Sequence, residues 1–184
     1  MSGLRLFPQP DARSCGAAAM VTARRLLDAD YAAQVETADA FARAALGLHA
    51  QLTSMLGPDG RPQVPWPRAL GTPPWALARY LRHLTGRRYR TRLALRRGIG
   101  GFEEALRAVG PDSPVALYVG SRWLPRHVVL VVGRADDALV VYEPSAGRLR
   151  TVHRGPWRWH RLGLAGWRRG WFVVRPDDVS QRQT

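Results

Sequence analysis

The hydrophobic period of this sequence changes once, and that change constrains the fold more than any other feature. Up to Thr85 the apolar residues recur at helical spacing; from Tyr89 onwards they alternate, or run unbroken between turns, as strands do. Cys15–Leu27 (CGAAAMVTARRLL) is small and apolar on every side of its first turn, which predicts a buried helix with Ser14 placed to cap it. A second, alanine-rich helix is predicted over 31–55, with Val35, Ala38, Phe41, Ala42, Ala45 and Leu48 along one face. A third runs over Pro74–Thr85, opening on a proline and stopping at Gly86. Between the last two, 57–72 contains four prolines and reads as a turn-rich, mobile connection.

In the second half, Tyr89, Thr91, Leu93 and Leu95 alternate with Arg88, Arg90, Arg92 and Ala94, the pattern of a strand with one wet face. A short helix is expected over 102–109, then strands over 114–120, 127–133, 138–143, 148–153 and 171–174. The valine-rich runs PVALYVG and HVVLVVG are apolar on both faces and belong at the centre of the sheet. Helices first and an antiparallel sheet after define an α+β class. The 184 residues, 46% hydrophobic, are expected to form one domain over 1–184, with a flexible tail at 176–184.

Several classes of protein are excluded at this level. A disordered chain would be less apolar, and no apolar run is long enough to predict a membrane span. The N-terminal stretch is too short and too interrupted by proline to read as a secretory signal, so the expected location is cytoplasmic. A single cysteine, Cys15, rules out an intramolecular disulfide and a multi-cysteine zinc site, and nothing in the sequence calls for a cofactor or metal. The charge is harder to assign. All 28 basic residues are arginine, and lysine and asparagine are absent, as a GC-rich coding sequence would give. Codon bias does not explain the net charge of +14, because Asp and Glu have GC-rich codons too. No acidic residue falls between Asp59 and Glu103 or between Glu143 and Asp177, and those stretches hold 18 of the 28 arginines. Such an excess attracts nucleic acid, an acidic peptide or an anionic membrane surface without choosing among them.

Three positions carry candidate chemistry. Cys15 stands at the expected N-terminus of a helix, where the macrodipole and free N–H groups favour a thiolate. Gly16 beside it leaves the backbone open to a substrate, and Gln9, six residues upstream, has an amide that can join the Cys15 N–H in holding an oxyanion. The other reading of Cys15 is a small buried hydrophobe. Of the five histidines, His49 and His83 fall in helices as surface or half-buried positions, and His153 and His160 lie in the Arg/Trp-rich stretch. His127 begins an apolar strand directly after the irregular SRWLPR, so it either satisfies a local hydrogen bond or faces a cleft. The strand from His127 turns through 134–137 and returns to end at Glu143, one strand over. An odd number of loop residues puts the two side chains on one face, where the carboxylate orients the imidazole. Alternatively Glu143 pairs with an arginine such as Arg148.

Together, QPDARSCGAA around Cys15, HVVLVVG from His127 and EPSAG from Glu143 resemble the C39 family of papain-like cysteine peptidases. TPPWALARYL at 72–81 is similar to the family's middle helix, so the resemblance runs from Gln9 to about Gly147. It implies a papain-like fold with N-terminal helices packed on a C-terminal antiparallel sheet. It further implies Cys15 as nucleophile, His127 as general base and acid, Glu143 as orienting residue and Gln9 as oxyanion donor. The family has Asp before that proline, one methylene shorter than Glu143. Its best-known members are N-terminal domains of peptide exporters that cut a leader after a double glycine. With no transporter helices or ATP-binding loop in the sequence, this chain is expected to act alone on a peptide or protein substrate. If an amine replaces water in the last step, the same machinery is a transferase.

The segment 148–171 holds seven arginines and four tryptophans. It can track a phosphate backbone and stack bases, dock on a membrane surface, select an acidic peptide, or simply pack its indoles under the sheet. The alternative to a peptidase is therefore a non-catalytic, arginine-rich module on the same scaffold that binds nucleic acid or an acidic peptide.

Overall fold

Alanine is what lets a helix run through the middle of this molecule. In α1 (Cys15–Leu27), Ala17, Ala18, Ala19 and Ala23 are fully buried together with Met20 and Val21, so the backbone approaches its neighbours closely on all sides. The computed structural model describes residues 4–94 and 99–177. The further elements are α2 (Ala29–Gln34), α3 (Ala38–Thr53), α4 (Pro74–Thr85), β1 (Tyr89–Leu93), α5 (Gly100–Ala108), β2 (Val115–Gly120), β3 (Pro125–Ala135), β4 (Ala138–Glu143), β5 (Arg148–Val152), α6 (Arg154–Arg158) and β6 (Arg169–Pro176). Among the described residues the six strands form one antiparallel sheet in the order β1-β6-β2-β3-β4-β5, with the valine-rich β2 and β3 at its centre. The last strand in sequence thus inserts between β1 and β2 and closes the sheet.

The sheet has two apolar faces. Ala116, Tyr118, Val128, Leu130, Tyr142 and Val174 pack against the N-terminal helices, and Phe7, Phe41, Leu77 and Leu81 complete that layer. Val115, Leu117, Val129, Val131, Leu139 and Val173 pack against α5 and α6 on the other side. This is the α+β arrangement that the change of period predicts.

Local chemistry moves several boundaries. The helix expected over 31–55 is two helices. Asp28 caps α2 by accepting from the Tyr31 N–H at 2.9 Å, and Thr37 caps α3 by accepting from the Ala40 N–H at 3.2 Å. Val35 leaves the helical region at φ −116°, ψ 50° and the Thr37 cap is extended, so the chain cannot run through 35–37 as one helix. The connection 57–72 carries bonding of its own. Gln63 donates to the carbonyls of Gln51 and Ser54, and Arg79 pairs with Asp59 at 2.6 Å. In the Arg/Trp stretch, α6 was not anticipated. It buries Trp157 edge-on against Phe102, and Gly101 and Gly170 leave the room that this indole fills. Trp171 donates to the Ser121 carbonyl at 2.9 Å, while Trp159 stays exposed. Leu95, expected at the end of β1, lies outside the described residues. So does most of the expected tail, although Pro176 still belongs to β6 and Asp177 pairs with Arg90 at 2.7 Å. No helix of the described residues is long and apolar enough to cross a membrane.

Candidate active site

The register of one hairpin decides whether His127 and Glu143 can meet. The turn between β3 and β4 is only Asp136 and Asp137, an even number, with Ala135 opposite Ala138 and Gly133 opposite Val140. Continued unchanged, that register would put Glu143 on the face opposite His127. A bulge at Val132 intervenes, so that Val131 faces Val141 and Leu130 faces Tyr142. The extra residue restores the parity that an odd loop would give, and the two side chains share a face. His127 Nε2 then donates to Glu143 Oε1 at 2.9 Å, with both residues buried.

Oε1 of Glu143 has two further donors. Ser145 approaches with its backbone N–H at 3.0 Å and its hydroxyl at 2.8 Å. Burial pushes the Glu143 carboxyl up, but these hydrogen bonds and the imidazolium charge outweigh it and hold the group at about 2. Burial likewise pushes His127 down. Hydrogen bonds to Cys15 and Glu143, with the negative charge of each, reverse the shift and raise it to about 9. With Nε2 committed to the carboxylate, Nδ1 is the ring nitrogen left for the sulfur. Glu143 and Arg148 are cross-strand partners, yet the carboxylate turns to His127.

Cys15 is the first residue of α1 and is buried. The chain is delivered to it by Asp11, whose Oδ1 accepts from the N–H groups of Arg13 and Ser14, each at 2.8 Å. Ser14 occupies the N-cap position without capping. Its backbone lies near φ −88°, ψ 12° rather than extended, and its hydroxyl reaches back to the Asp11 carbonyl at 3.5 Å. The helix N-terminus beside the sulfur is therefore not closed by that side chain. Gln9 lies on the loop before α1, its N–H donating to the Pro144 carbonyl at 2.7 Å. Its side-chain nitrogen donates one hydrogen to the Asp11 carbonyl and keeps a second, while Oε1 is buried without a partner. Tyr142 ties the same loop down through the Phe7 carbonyl at 2.6 Å. Gly147, at φ +59°, lets it pass so closely that a Cβ there would lie 2.5 Å from Pro8 N. The turn following Glu143 thus supports both the carboxylate and the Gln9 loop.

The space beside Gly16 is not left for a substrate. Thr72 fills it, and a Cβ on Gly16 would come within 2.8 Å of the Thr72 Cβ. Thr72 is held in turn by the Tyr118 hydroxyl, which donates to its carbonyl at 2.7 Å, and it faces His49 Nδ1 at 3.4 Å. His49 is accordingly buried rather than a surface or half-buried helix position, and desolvation pushes it down. His83, His153 and His160 lie apart, on α4, before α6 and after α6. Sequence reasoning missed Ser145, Thr72 and Tyr118. Only Ser145 left a local signal, a hydroxyl two residues after a carboxylate at a turn. Among the described residues no three His, Cys, Asp or Glu side chains converge as a metal site.

A helix with cysteine at its start is thus packed on an antiparallel sheet whose central hairpin brings a histidine to a carboxylate, and one solved structure shows the same fold. A structure described as a C39-like peptidase from Bacillus anthracis superposes with a TM-score of 0.53 at 10% identity, over 95% of each chain. The peptidase domain of Streptococcus ComA, a bi-functional ABC transporter involved in quorum sensing, aligns over 95% of this chain and 99% of that one, at 16% identity and a TM-score of 0.48. No family model matches the sequence, and no curated protein does.

Proposed function

We propose that this chain is a cysteine peptidase in which Cys15 attacks a peptide or amide carbonyl. The observation that carries this reading is the bond of His127 to the buried Glu143 carboxylate at 2.9 Å, with Cys15, the first residue of a helix, near enough to act on the imidazole's charge. With His127 raised to about 9, the imidazolium persists through neutral pH and favours a thiolate beside it. The thiolate forms the C–S bond, and the carbonyl electrons move to oxygen. The Cys15 N–H and the uncommitted amide hydrogen of Gln9 receive that oxyanion. As the tetrahedral species collapses, the C–N bond breaks and His127 gives its proton to the leaving amine. Water, deprotonated by His127, then releases the acyl group as a carboxylic acid and restores the thiol. An amine in place of that water makes the same chain a transferase. Glu143 keeps the imidazole turned and charged, and Ser145 keeps Glu143 in place. An unpaired thiol suits a reducing compartment, and the cytoplasm is where we place the reaction.

The test is the rate of Cys15 alkylation by iodoacetamide against pH, in the wild type and in His127→Ala. No second thiol competes for the reagent. Between pH 6 and 7 the wild type is expected to react about tenfold faster or more, because the variant lacks the neighbouring cation. Identical rates and pH dependence in the two proteins would make Cys15 an inert packing residue and end the catalytic reading.

A further inference from the structure

The surroundings of the thiol carry more positive charge than the proposed chemistry uses. Arg13 lies two residues before Cys15, and Arg126 immediately precedes His127 on β3. Arg122 stands on the β2–β3 turn, its guanidinium 4.0 Å from the centroid of the Trp123 ring. Arg148 is the cross-strand partner of Glu143. Arg68 is close enough for its charge to act on His49, which faces Thr72 at 3.4 Å, and Thr72 in turn packs on Gly16. All five arginines are exposed, and among the described residues none of them pairs with a carboxylate.

The acidic residues offset only part of this rim. Asp11 and Glu143 are the two nearest in the chain and pairing pattern; Glu143 faces His127, and Asp11, which keeps its charge while accepting from neutral backbone N–H groups, cancels one arginine of the five. Glu103 and Glu104 on α5 are paired with Arg154 and Arg175. Asp28, Asp30, Glu36 and Asp39 gather around α2 and the start of α3, and Asp136 and Asp137 form the turn at the end of the β3–β4 hairpin remote from His127. The hairpin is thus acidic at one end and basic at the end that carries the histidine.

We propose that this rim of Arg13, Arg68, Arg122, Arg126 and Arg148 selects a peptide with carboxylate side chains beside the bond to be cut. Guanidinium forks match carboxylates in bidentate geometry, and cations gathered around one cleft raise the local concentration of an anionic substrate. A peptide is favoured over a nucleic acid because the chemistry at the centre of the rim acts on an acyl carbon. The choice of peptide rests on the peptidase reading above; the selection of anions does not.

Two measurements separate these. The first is the ratio of Cys15 alkylation rates by anionic iodoacetate and neutral iodoacetamide, which reports the field at the sulfur without any turnover. At low salt the ratio is expected to be about threefold higher in the wild type than in the double variant Arg13→Gln/Arg126→Gln, with the difference vanishing in molar salt. Arg134→Gln, at the remote end of the hairpin, removes a charge without changing the ratio. The second is the fluorescence anisotropy of labelled decaglutamate, which reads the surface whether or not the thiol reacts. Binding is expected to weaken about tenfold in the double variant, and decaglutamine is not expected to bind. Equal behaviour of rim and control variants in both measurements overturns the proposal. So does binding of an oligothymidylate with no binding of decaglutamate. A peptidase that cuts without preference for acidic peptides would leave the catalytic reading standing and this one refuted.

Discussion

Replacing Glu143 by Gln keeps the side chain's length and its accepting oxygen while removing its charge, and the consequence falls on His127. The carboxyl is held at about 2 against an ordinary 4.5, and at about 1.4 kcal/mol per unit that gap corresponds to roughly 3.5 kcal/mol at most. Ser145 supplies two of the three hydrogen bonds to Oε1. The part shared with His127 is therefore about 1–2 kcal/mol, or on the order of one unit of its titration. Burial already pushes His127 down, so losing the anion moves it from about 9 towards 8. The assay is histidine side-chain NMR against pH, with His127→Ala identifying the resonance among the five histidines. Stability should follow the same sign. His127, raised on folding, contributes fully below 6.5 and loses that contribution as pH rises through about 9. Glu143, depressed on folding, contributes fully above 4.5 and loses that contribution as pH falls through about 2. The pair therefore contributes most between those two limits, and Glu143→Gln should flatten that plateau. An unchanged or raised His127 titration in Glu143→Gln would refute the argument.

Two further outcomes test the turn behind the carboxylate. Ser145→Ala deletes the 2.8 Å hydroxyl bond but keeps the backbone N–H. It should raise Glu143 and lower His127 by less than Glu143→Gln does, with Ser145→Thr restoring both in the same NMR titration. Gly147→Ala drives a Cβ to 2.5 Å from Pro8 N at a φ of +59°. Urea unfolding should show a loss of about 1–3 kcal/mol. Because the 7–9 loop must move, peptide turnover should fall through kcat with the His127 titration little changed.

How much of this was legible in the sequence differs between the fold and the site. The change of period located the helices and strands because it reflects which faces are buried, and the sheet's two apolar faces leave β2 and β3 uniformly valine-rich. The break at Val35–Thr37 was illegible because the apolar stripe continues through it; α2 ends where the Val35 backbone leaves the helical region, and the Thr37 side-chain cap restarts the chain as α3, a local competition that periodicity does not weigh. The burial of Trp157 was one of several open readings of 148–171, because it depends on glycines at positions 101 and 170 that the segment's own composition does not identify. Of the candidate site, the meeting of His127 with Glu143 was legible in residue type and order. Thr72 and Tyr118 were not, because they reach Gly16 from separate elements.

The hairpin shows most directly where reading a sequence stops. From the residues alone, His127 and Glu143 share a face only if the loop between them is odd, and the loop is even. The bulge at Val132 supplies the missing residue, inside a run of valines where nothing in composition distinguishes it. Bulges occur where a strand must be re-aimed, and here the consequence of one extra residue is the difference between an imidazole bonded to a buried carboxylate and two charged groups on opposite sides of a sheet. In the second arrangement the carboxylate would keep only its cross-strand neighbour Arg148 as a counter-charge, and His127 would have no carboxylate beside it. One unpaired valine is therefore what couples the two candidate residues.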